Sequence, residues 1–336
     1  MLILGLRLFS IQVLKYSHFL TRSDEIRIKR KVIEAPRGFI FDRNGSVLAE
    51  NLMTYSITVD PTEWDSLDVS IPRLASLFPE PPKMLNVSGE NMVQKIKEQI
   101  RGSFNPEKII RDVNFRLLSI VEEHNHELPG VGGVFDQGRR YPYGPLAAHV
   151  IGYMGEVTRK ELGTLKDKGY KSGYSIGRHG IEKYYEDALK GENGAKFVEM
   201  NYQSRILGIT NYGNPIRPEP GENITLTLDV RMQMTAREAF GDTVRGALVA
   251  LDPRNGEVLV MASLPSFDPN EFAHTMSSER YASLVNDLDS PLFNRAIQAT
   301  YPPGSPIKTL TALAGLENGF NEDTRFQPCM GPYYYG

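Results

Sequence analysis

The chain has 336 residues, of which 40% are hydrophobic and 24% charged, and its formal net charge is −3 at pH 7. That balance is ordinary for a globular protein with room for two domains, and it gives no support to a general nucleic-acid role. The single cysteine, Cys329, excludes an intrachain disulfide, and one thiolate is not a metal site.

The first segment, Met1–Leu14 (MLILGLRLFSIQVL), is apolar but broken by Arg7. It is shorter than the ~20 apolar residues that span a bilayer. No small-residue cleavage site follows, so it is a poor signal peptide. It reads either as an amphipathic surface helix or as the end of a membrane anchor. Ser17–Lys31 reads as a polar, charged helix. In Ala35–Asn51 (APRGFIFDRNGSVLAEN), FIFD and SVLA flank Arg43-Asn44-Gly45, a strong hairpin signal. Arg37 and Asp42 are placed to pair across it as a structural salt bridge. Tyr55–Pro61 alternates as a strand does.

Pro72, Pro79, Pro81, Pro82 and Pro106 mark loops, with helices expected at Glu90–Ile100 and Phe115–His124. His124 and His126 diverge at i, i+2 and make a solvated helix end rather than a metal site. Gly138–Gly155 (GRRYPYGPLAAHVIGYMG) places His149 in an apolar stretch with no nucleophile or carboxylate at useful spacing, so a core histidine with a hydrogen-bond partner is expected. The glycines of Gly173–Gly191 (GYSIGRHGIEKYYEDALKG) match neither a dinucleotide fingerprint nor a P-loop. Ala195–Leu207 reads as strands, and Arg217–Gly221 as a linker between domains. Asn223–Asp229 reads as a strand, with Asp229 capping a helix over Val230–Phe240. Gly246–Ser263 is a second hairpin, turned at Pro253–Gly256.

The most informative stretch is Tyr301–Lys308, YPPGSPIK, followed by the apolar run Thr309–Leu316. Pro302, Pro303 and Gly304 forbid a helix before Ser305. With Ser305 as cap, Pro306 falls at the first helical position and Lys308 lies one turn on, on the same face. A lysine half-buried under an apolar helix can lose its proton and act as base to the neighbouring hydroxyl. A bare SxxK reads as a capped surface helix, but this SxxK is the only one in the chain and sits in YPPGS-x-x-K. Asn318 and Gly319 end the helix.

Four ordered strings together resemble the class B penicillin-binding proteins, and within them the cell-elongation type. They are R-G-xxx-D-R-N-G-xx-L-A at Arg37–Ala49, and Arg139, Tyr141, Pro142, Gly144, Ala147, His149, Gly152 and Tyr153 in the second box. The third holds Gly180, Ile181, Glu182, Tyr185, Glu186, Leu189 and Gly191, and the fourth is YPPGS-x-x-K. Cys329–Gly336 (CMGPYYYG) resembles a short string downstream of the family's nucleophile. The resemblance implies an α+β chain: an elongated, β-rich N-terminal pedestal (dimerisation-like domain), then the first part of an α/β penicilloyl-serine transferase domain. Its expected divisions are 1–31, a remnant of a membrane anchor and juxtamembrane helix; 32–217, the pedestal; and 222–336, an incomplete transpeptidase domain. It tips the first segment toward a truncated single-pass anchor in the bacterial cytoplasmic membrane, with the bulk of the chain on the periplasmic side. Through residue 43 there are nine Lys or Arg against four Asp or Glu. The positive-inside tendency would put these in the cytoplasm, but it counts both flanks of a span and does not decide.

By the same resemblance the chain is a peptidoglycan D,D-transpeptidase. Ser305 attacks the penultimate D-Ala carbonyl of a stem peptide, Lys308 is the general base, and β-lactams trap the serine. No cofactor or metal is implied. Partners are stem peptides, β-lactams, the membrane, a SEDS-type glycosyltransferase and elongation-complex proteins, with no nucleic acid. Two departures stand out: Pro306 replaces the usual Thr, and Glu317–Gly336 contains neither the SxN nor the KTG motif. The expectation is a chain inactive alone and poorly ordered after about residue 222. The hairpin of residues 246–263 would have an unpaired edge and the helix of residues 310–316 an uncovered apolar face. Two other readings are a non-catalytic scaffold docking a glycosyltransferase and a serine hydrolase of the β-lactamase kind; the long pedestal opposes the latter.

Overall fold

The structure, a computed structural model, describes all residues except 1, 17–26, 79–89, 101–105, 166–167, 171–172, 201–205, 211–213, 242–244, 274–275, 277, 322, 326–330 and 332–336. The chain divides into two compact units, Met1–Ala296 and Ile297–Gly336. In the first, Leu2–Phe9 is an α-helix passing into a π-helical turn over Ser10–Leu14. No helix among the described residues is long and apolar enough to cross a membrane.

The strands, in chain order, are β1 (Ile28–Ile33), β2 (Ile40–Phe41), β3 (Val47–Val59), β4 (Glu107–Val113), β5 (Val131–Arg140), β6 (Met154–Glu156), β7 (Ser175–Gly177), β8 (Gly194–Met200), β9 (Ile206–Ile209), β10 (Ile224–Thr225), β11 (Gly246–Leu251) and β12 (Val258–Leu264). One sheet runs β1-β8-β9 and another β10-β2-β3-β4, with β5 also paired to β3; β6-β7 and β11-β12 are two-stranded. β1 corrects an expectation. Residues 17–26 of the supposed charged helix lie outside the described residues, but Ile28–Lys31 is strand. It pairs antiparallel with β8 from Ile28↔Glu199 to Ile33↔Gly194. A ladder to a strand far along the chain overrides local helix preference, because it satisfies every second backbone group and none of its partners is visible locally.

The first hairpin forms as expected, Ile40 opposite Ala49 and Phe41 opposite Val47. β3 then pairs residue for residue with β5 from Glu50↔Arg140 to Val59↔Val131. Ile57 and Val59 pack with Leu67, Ile71, Leu74, Ile96 and Ile100 into the largest core. The last five come from the helices Leu67–Ser76 and Glu90–Ile100. Pro72 was expected in a loop but lies inside the helix Leu67–Ser76. Its missing N–H and ring cost about 3 kcal/mol. Leu67, Ile71 and Leu74, at i, i+4 and i+7, are fully buried, and each contributes about 1.5–3 kcal/mol, so packing wins. Pro79, Pro81 and Pro82 lie outside the described residues. The helix expected over Phe115–His124 spans Phe115–Glu123, capped by the Asn114 side chain.

A second core joins Ile40, Leu48, Tyr141, Ile151 and Leu189 with Leu228 and Val230. Gly152 and Gly180, at φ +82° and +59°, let two loops cross here; a Cβ on Gly152 would sit 1.8 Å from the His179 carbonyl oxygen. Only glycine fits such a crossing. Arg217–Gly221 runs as bonded backbone: Glu192 and Glu219 exchange hydrogen bonds of 2.9 and 2.8 Å, and the Gly221 N–H donates to the Pro36 carbonyl at 2.9 Å.

The Asn223–Asp229 strand shrinks to Ile224–Thr225, parallel to β2. Asp229 caps the helix Val230–Phe240 as expected, accepting from the N–H of Arg231 (2.9 Å) and Met232 (3.2 Å). β11 and β12 form the expected hairpin, closed by the Asp252 N–H donating to the Glu257 carbonyl at 2.9 Å. Among the described residues β11-β12 stays a two-stranded sheet whose edges gain no further strand, but β12 is met at one residue by a side chain. The Gln233 amide accepts from the Met261 N–H (3.0 Å) and donates to the Met261 and Leu146 carbonyls (2.8 and 2.9 Å). A buried side-chain amide has the donor and acceptor of a backbone unit and stands in for one here.

Candidate active site

In the unit Ile297–Gly336, Gly304 at φ +55° turns the chain into the helix Ile307–Glu317. The Lys308 N–H donates to the Ser305 carbonyl at 3.0 Å, which sets the two residues one turn apart. The cap is displaced from expectation: Pro306 occupies the cap position and no side-chain cap bond forms. Pro306 has no N–H, and its fixed φ of −54° already belongs to the helix, so the turn tightens before the helix starts. The Ser305 hydroxyl and the Lys308 ammonium have no hydrogen-bond or ion partner among the described residues, and both are exposed. Lys308 is therefore not half-buried, because the helix above it is uncovered. Leu310, Leu313 and Leu316 are 62%, 55% and 56% exposed, and no residue of the helix is buried. Asn318 caps its C-terminus and Gly319, at φ +88°, ends it as expected. Cys329 and the rest of 329–336 lie outside the described residues except Gly331.

The other three boxes converge within Met1–Ala296. Arg37 does not pair with Asp42. Its Nε donates to Glu182 Oε2 at 2.7 Å and its Nη2 to Glu186 Oε2 at 2.7 Å. Arg139 Nε donates to Glu182 Oε1, also at 2.7 Å, and the Tyr141 hydroxyl to the same oxygen at 3.3 Å. Glu182 is fully buried, so it holds two guanidinium groups where water cannot screen them. Burial alone would lower the Arg37 guanidinium, but Glu182 and Glu186 hold it well above its ordinary value. Burial also raises the Tyr141 hydroxyl, with Glu182 adding to the effect. Sequence reasoning missed Glu182 as the hub. The signal was there: Arg37, Arg139 and Glu182 stand in three separate boxes, and buried arginines require buried carboxylates.

Asp42 instead ties the hairpin turn, accepting from the N–H of Asn44 (2.9 Å), Ser46 (2.7 Å) and Val230 (3.1 Å). Burial opposes its charge, but those donors hold its carboxyl below the usual range. His149 is the core histidine expected. Its Nε2 lies 2.8 Å from the Pro291 carbonyl and its ring meets Phe267 edge-on, and burial pushes it down to about 4. A neutral, packed imidazole of this kind is a poor proton carrier at neutral pH. Among the described residues no cluster of His, Cys, Asp and Glu could hold a metal ion.

Comparison with known proteins agrees with this layout. Residues 32–226 match the family "Penicillin-binding Protein dimerisation domain" and residues 246–335 "Penicillin binding protein transpeptidase domain". The peptidoglycan D,D-transpeptidase MrdA of Acinetobacter baumannii is 36% identical over 95% of this chain and 46% of its own length. MrdA of Escherichia coli K12 is 34% identical over 96% of this chain and 50% of its own. The Helicobacter pylori penicillin-binding protein PBP2, solved in complex with MreC, superposes with a TM-score of 0.71 at 28% identity, covering 88% of this chain and 54% of that one. The chain thus spans about half the length of the curated relatives it matches.

Proposed function

The chain belongs to the penicillin-binding proteins, and on that premise we propose that it is part of a peptidoglycan D,D-transpeptidase working by acyl-serine chemistry. Ser305 is the nucleophile and Lys308 its general base. The observation that carries this is the YPPGSPIK turn: a serine and a lysine one helical turn apart, both unpartnered among the described residues, inside the transpeptidase match. In the reaction Ser305 Oγ bonds to the penultimate D-Ala carbonyl carbon as Lys308 Nζ takes its proton. The bond to the last D-Ala breaks, and the departing amine takes a proton. A neighbouring stem-peptide amine then displaces Ser305, forming the cross-link. β-Lactams acylate the same oxygen. The backbone N–H of Ser305 is a donor for the developing oxyanion.

The divisions proposed are an anchor segment that ends before β1, a pedestal over 32–217 and a transpeptidase portion over 222–336. The protein is anchored by one span in the bacterial cytoplasmic membrane and faces the periplasm. Its pedestal docks elongation-complex proteins, a SEDS-type glycosyltransferase among them; the MreC complex of the Helicobacter relative supports that class of partner. The alternative is a non-catalytic pedestal.

Intact mass of the protein taken from its own membranes, with and without a β-lactam, separates the two. One adduct that maps to Ser305 and disappears in Ser305→Ala supports the transpeptidase. Unmodified protein that still co-purifies with a polymerase partner leaves the scaffold. Rapid β-lactam hydrolysis would make it a hydrolase instead.

A further inference from the structure

Charge is spread unevenly along this chain. Residues 1–31 carry seven Lys or Arg against two acids, Asp24 and Glu25, a net of +5; the whole chain is −3, so the remaining residues carry −8. Part of this basic segment is folded. β1 holds Lys29, Arg30 and Lys31 in a ladder with β8 of the pedestal, so these charges lie on the pedestal's side of the membrane. On the reading of the first residues as an anchor, they are therefore not its cytoplasmic flank, which is where the positive-inside tendency would put them.

β1 is the edge of its sheet, and basic side chains on an edge strand discourage pairing with another chain. That accounts for Arg30, which is exposed, and for Lys31. It does not account for Lys196, which sits on the middle strand directly opposite Lys31. Opposed residues of an antiparallel pair share one face, and like charges placed there are destabilising. Burial pushes the Lys31 ammonium below its ordinary value, and Lys196 adds to the effect. Neither lysine has an ion or hydrogen-bond partner among the described residues. Lys15, also exposed, adds a further charge just past the apolar segment Leu2–Leu14.

We propose that Arg30, Lys31 and Lys196 form a cationic edge that rests on the anionic lipid headgroups of the leaflet from which the chain emerges. The occupant follows from charge and position, and the inference rests on the anchor reading. A leaflet surface is an extended array of anions, and β1 begins 14 residues after Leu14, where the apolar segment ends. Headgroup phosphates screen the repulsion between Lys31 and Lys196. Each cation within a Debye length of such a surface, about 8–10 Å, adds to binding. The −8 carried by the remaining residues is repelled by the same surface, which confines contact to the basic edge.

The test is co-sedimentation of the 336-residue chain with vesicles of pure phosphatidylcholine and of phosphatidylcholine mixed with phosphatidylglycerol, at low and high sodium chloride. Binding to the anionic vesicles is expected to be about tenfold or more tighter at low salt, with that excess lost at high salt. Lys31→Gln with Lys196→Gln should remove most of the excess, with a denaturation midpoint unchanged or raised because the repulsion is gone. Lys31→Glu sets opposite charges across the pair, keeps the fold and must weaken anionic binding as well. Lys95→Gln with Lys160→Gln changes two exposed lysines elsewhere, lowers the net charge equally and should leave the excess in place. Equal binding to both kinds of vesicle, an excess untouched by the Lys31 and Lys196 changes, or equal weakening by the control pair overturns the proposal. Neutral vesicles report on the apolar segment: no binding there counts against the anchor and leaves the anionic excess to decide the basic edge.

Discussion

Glu182→Gln is the most informative single change in the first unit. The carboxylate is fully buried and accepts at 2.7 Å from both Arg37 Nε and Arg139 Nε. The amide keeps the shape but removes the charge and turns one acceptor into a donor that faces a guanidinium. Two charge-assisted hydrogen bonds are worth about 1.5–3 kcal/mol each, and breaking a buried ion pair costs about 3–5 kcal/mol because the partner charge is stranded. An expected loss of about 3–5 kcal/mol is a large fraction of the 5–15 kcal/mol typical of a whole domain. It corresponds to a fall in Tm of roughly 6–20 °C for a unit of this size. The assay is guanidinium denaturation at pH 7, read as a lower midpoint at unchanged slope. Glu186→Gln should cost less, since that carboxylate is less deeply buried and meets only one arginine, Arg37. Replacing the triad with Glu182→Leu, Arg37→Met and Arg139→Met should recover only part of the loss, because Arg37→Met also leaves Glu186 without its arginine. A Glu182→Gln protein within 1 kcal/mol of wild type would falsify the assignment of Glu182 as the hub.

Three further outcomes are expected. His149 is held near 4 by burial against an unfolded value of 6.5, so the unfolded chain binds the extra proton between those values. Stability is then full above pH 6.5 and falls by up to about 3 kcal/mol as pH drops toward 4. Denaturation midpoints across that window should show the slope, and His149→Phe should flatten it; equal slopes refute the buried neutral ring. Gln233→Ala leaves the Met261 N–H and the Met261 and Leu146 carbonyls without that partner. A loss of about 2–4 kcal/mol and faster hydrogen exchange at the Met261 amide are expected; unchanged exchange there sinks the strand-mimic reading. In limited trypsin digestion, cuts at Lys308 and Arg325 should precede cuts in β3–β5, because the helix Ile307–Glu317 has no buried residue. Early loss of the N-terminal half with a resistant C-terminal half means the opposite order of stability.

Local chemistry was legible wherever a short segment satisfies itself. The Asp42–Ser46 turn, the Asp229 cap, the Asn318-Gly319 stop and the β11–β12 hairpin all use partners within a few residues. So does the Ser305–Lys308 turn, though its cap moved by one residue onto Pro306 because proline already carries helical φ. Errors arose where the partner is remote. β1 reads as charged helix until β8 arrives, and Arg37 reads as a partner of Asp42 until Glu182 and Glu186 are brought alongside.

The sequence alone determined the family, through four ordered strings of residues, and the serine–lysine pair, because i, i+3 spacing on a helix is a local property of the chain. Only the tertiary structure decided which charges neutralise which, that Gln233 meets β12 at Met261, and that Lys308 is exposed. Burial and long-range pairing depend on what folds against a residue, and Coulomb energy inside a protein depends on burial far more than on separation along the chain.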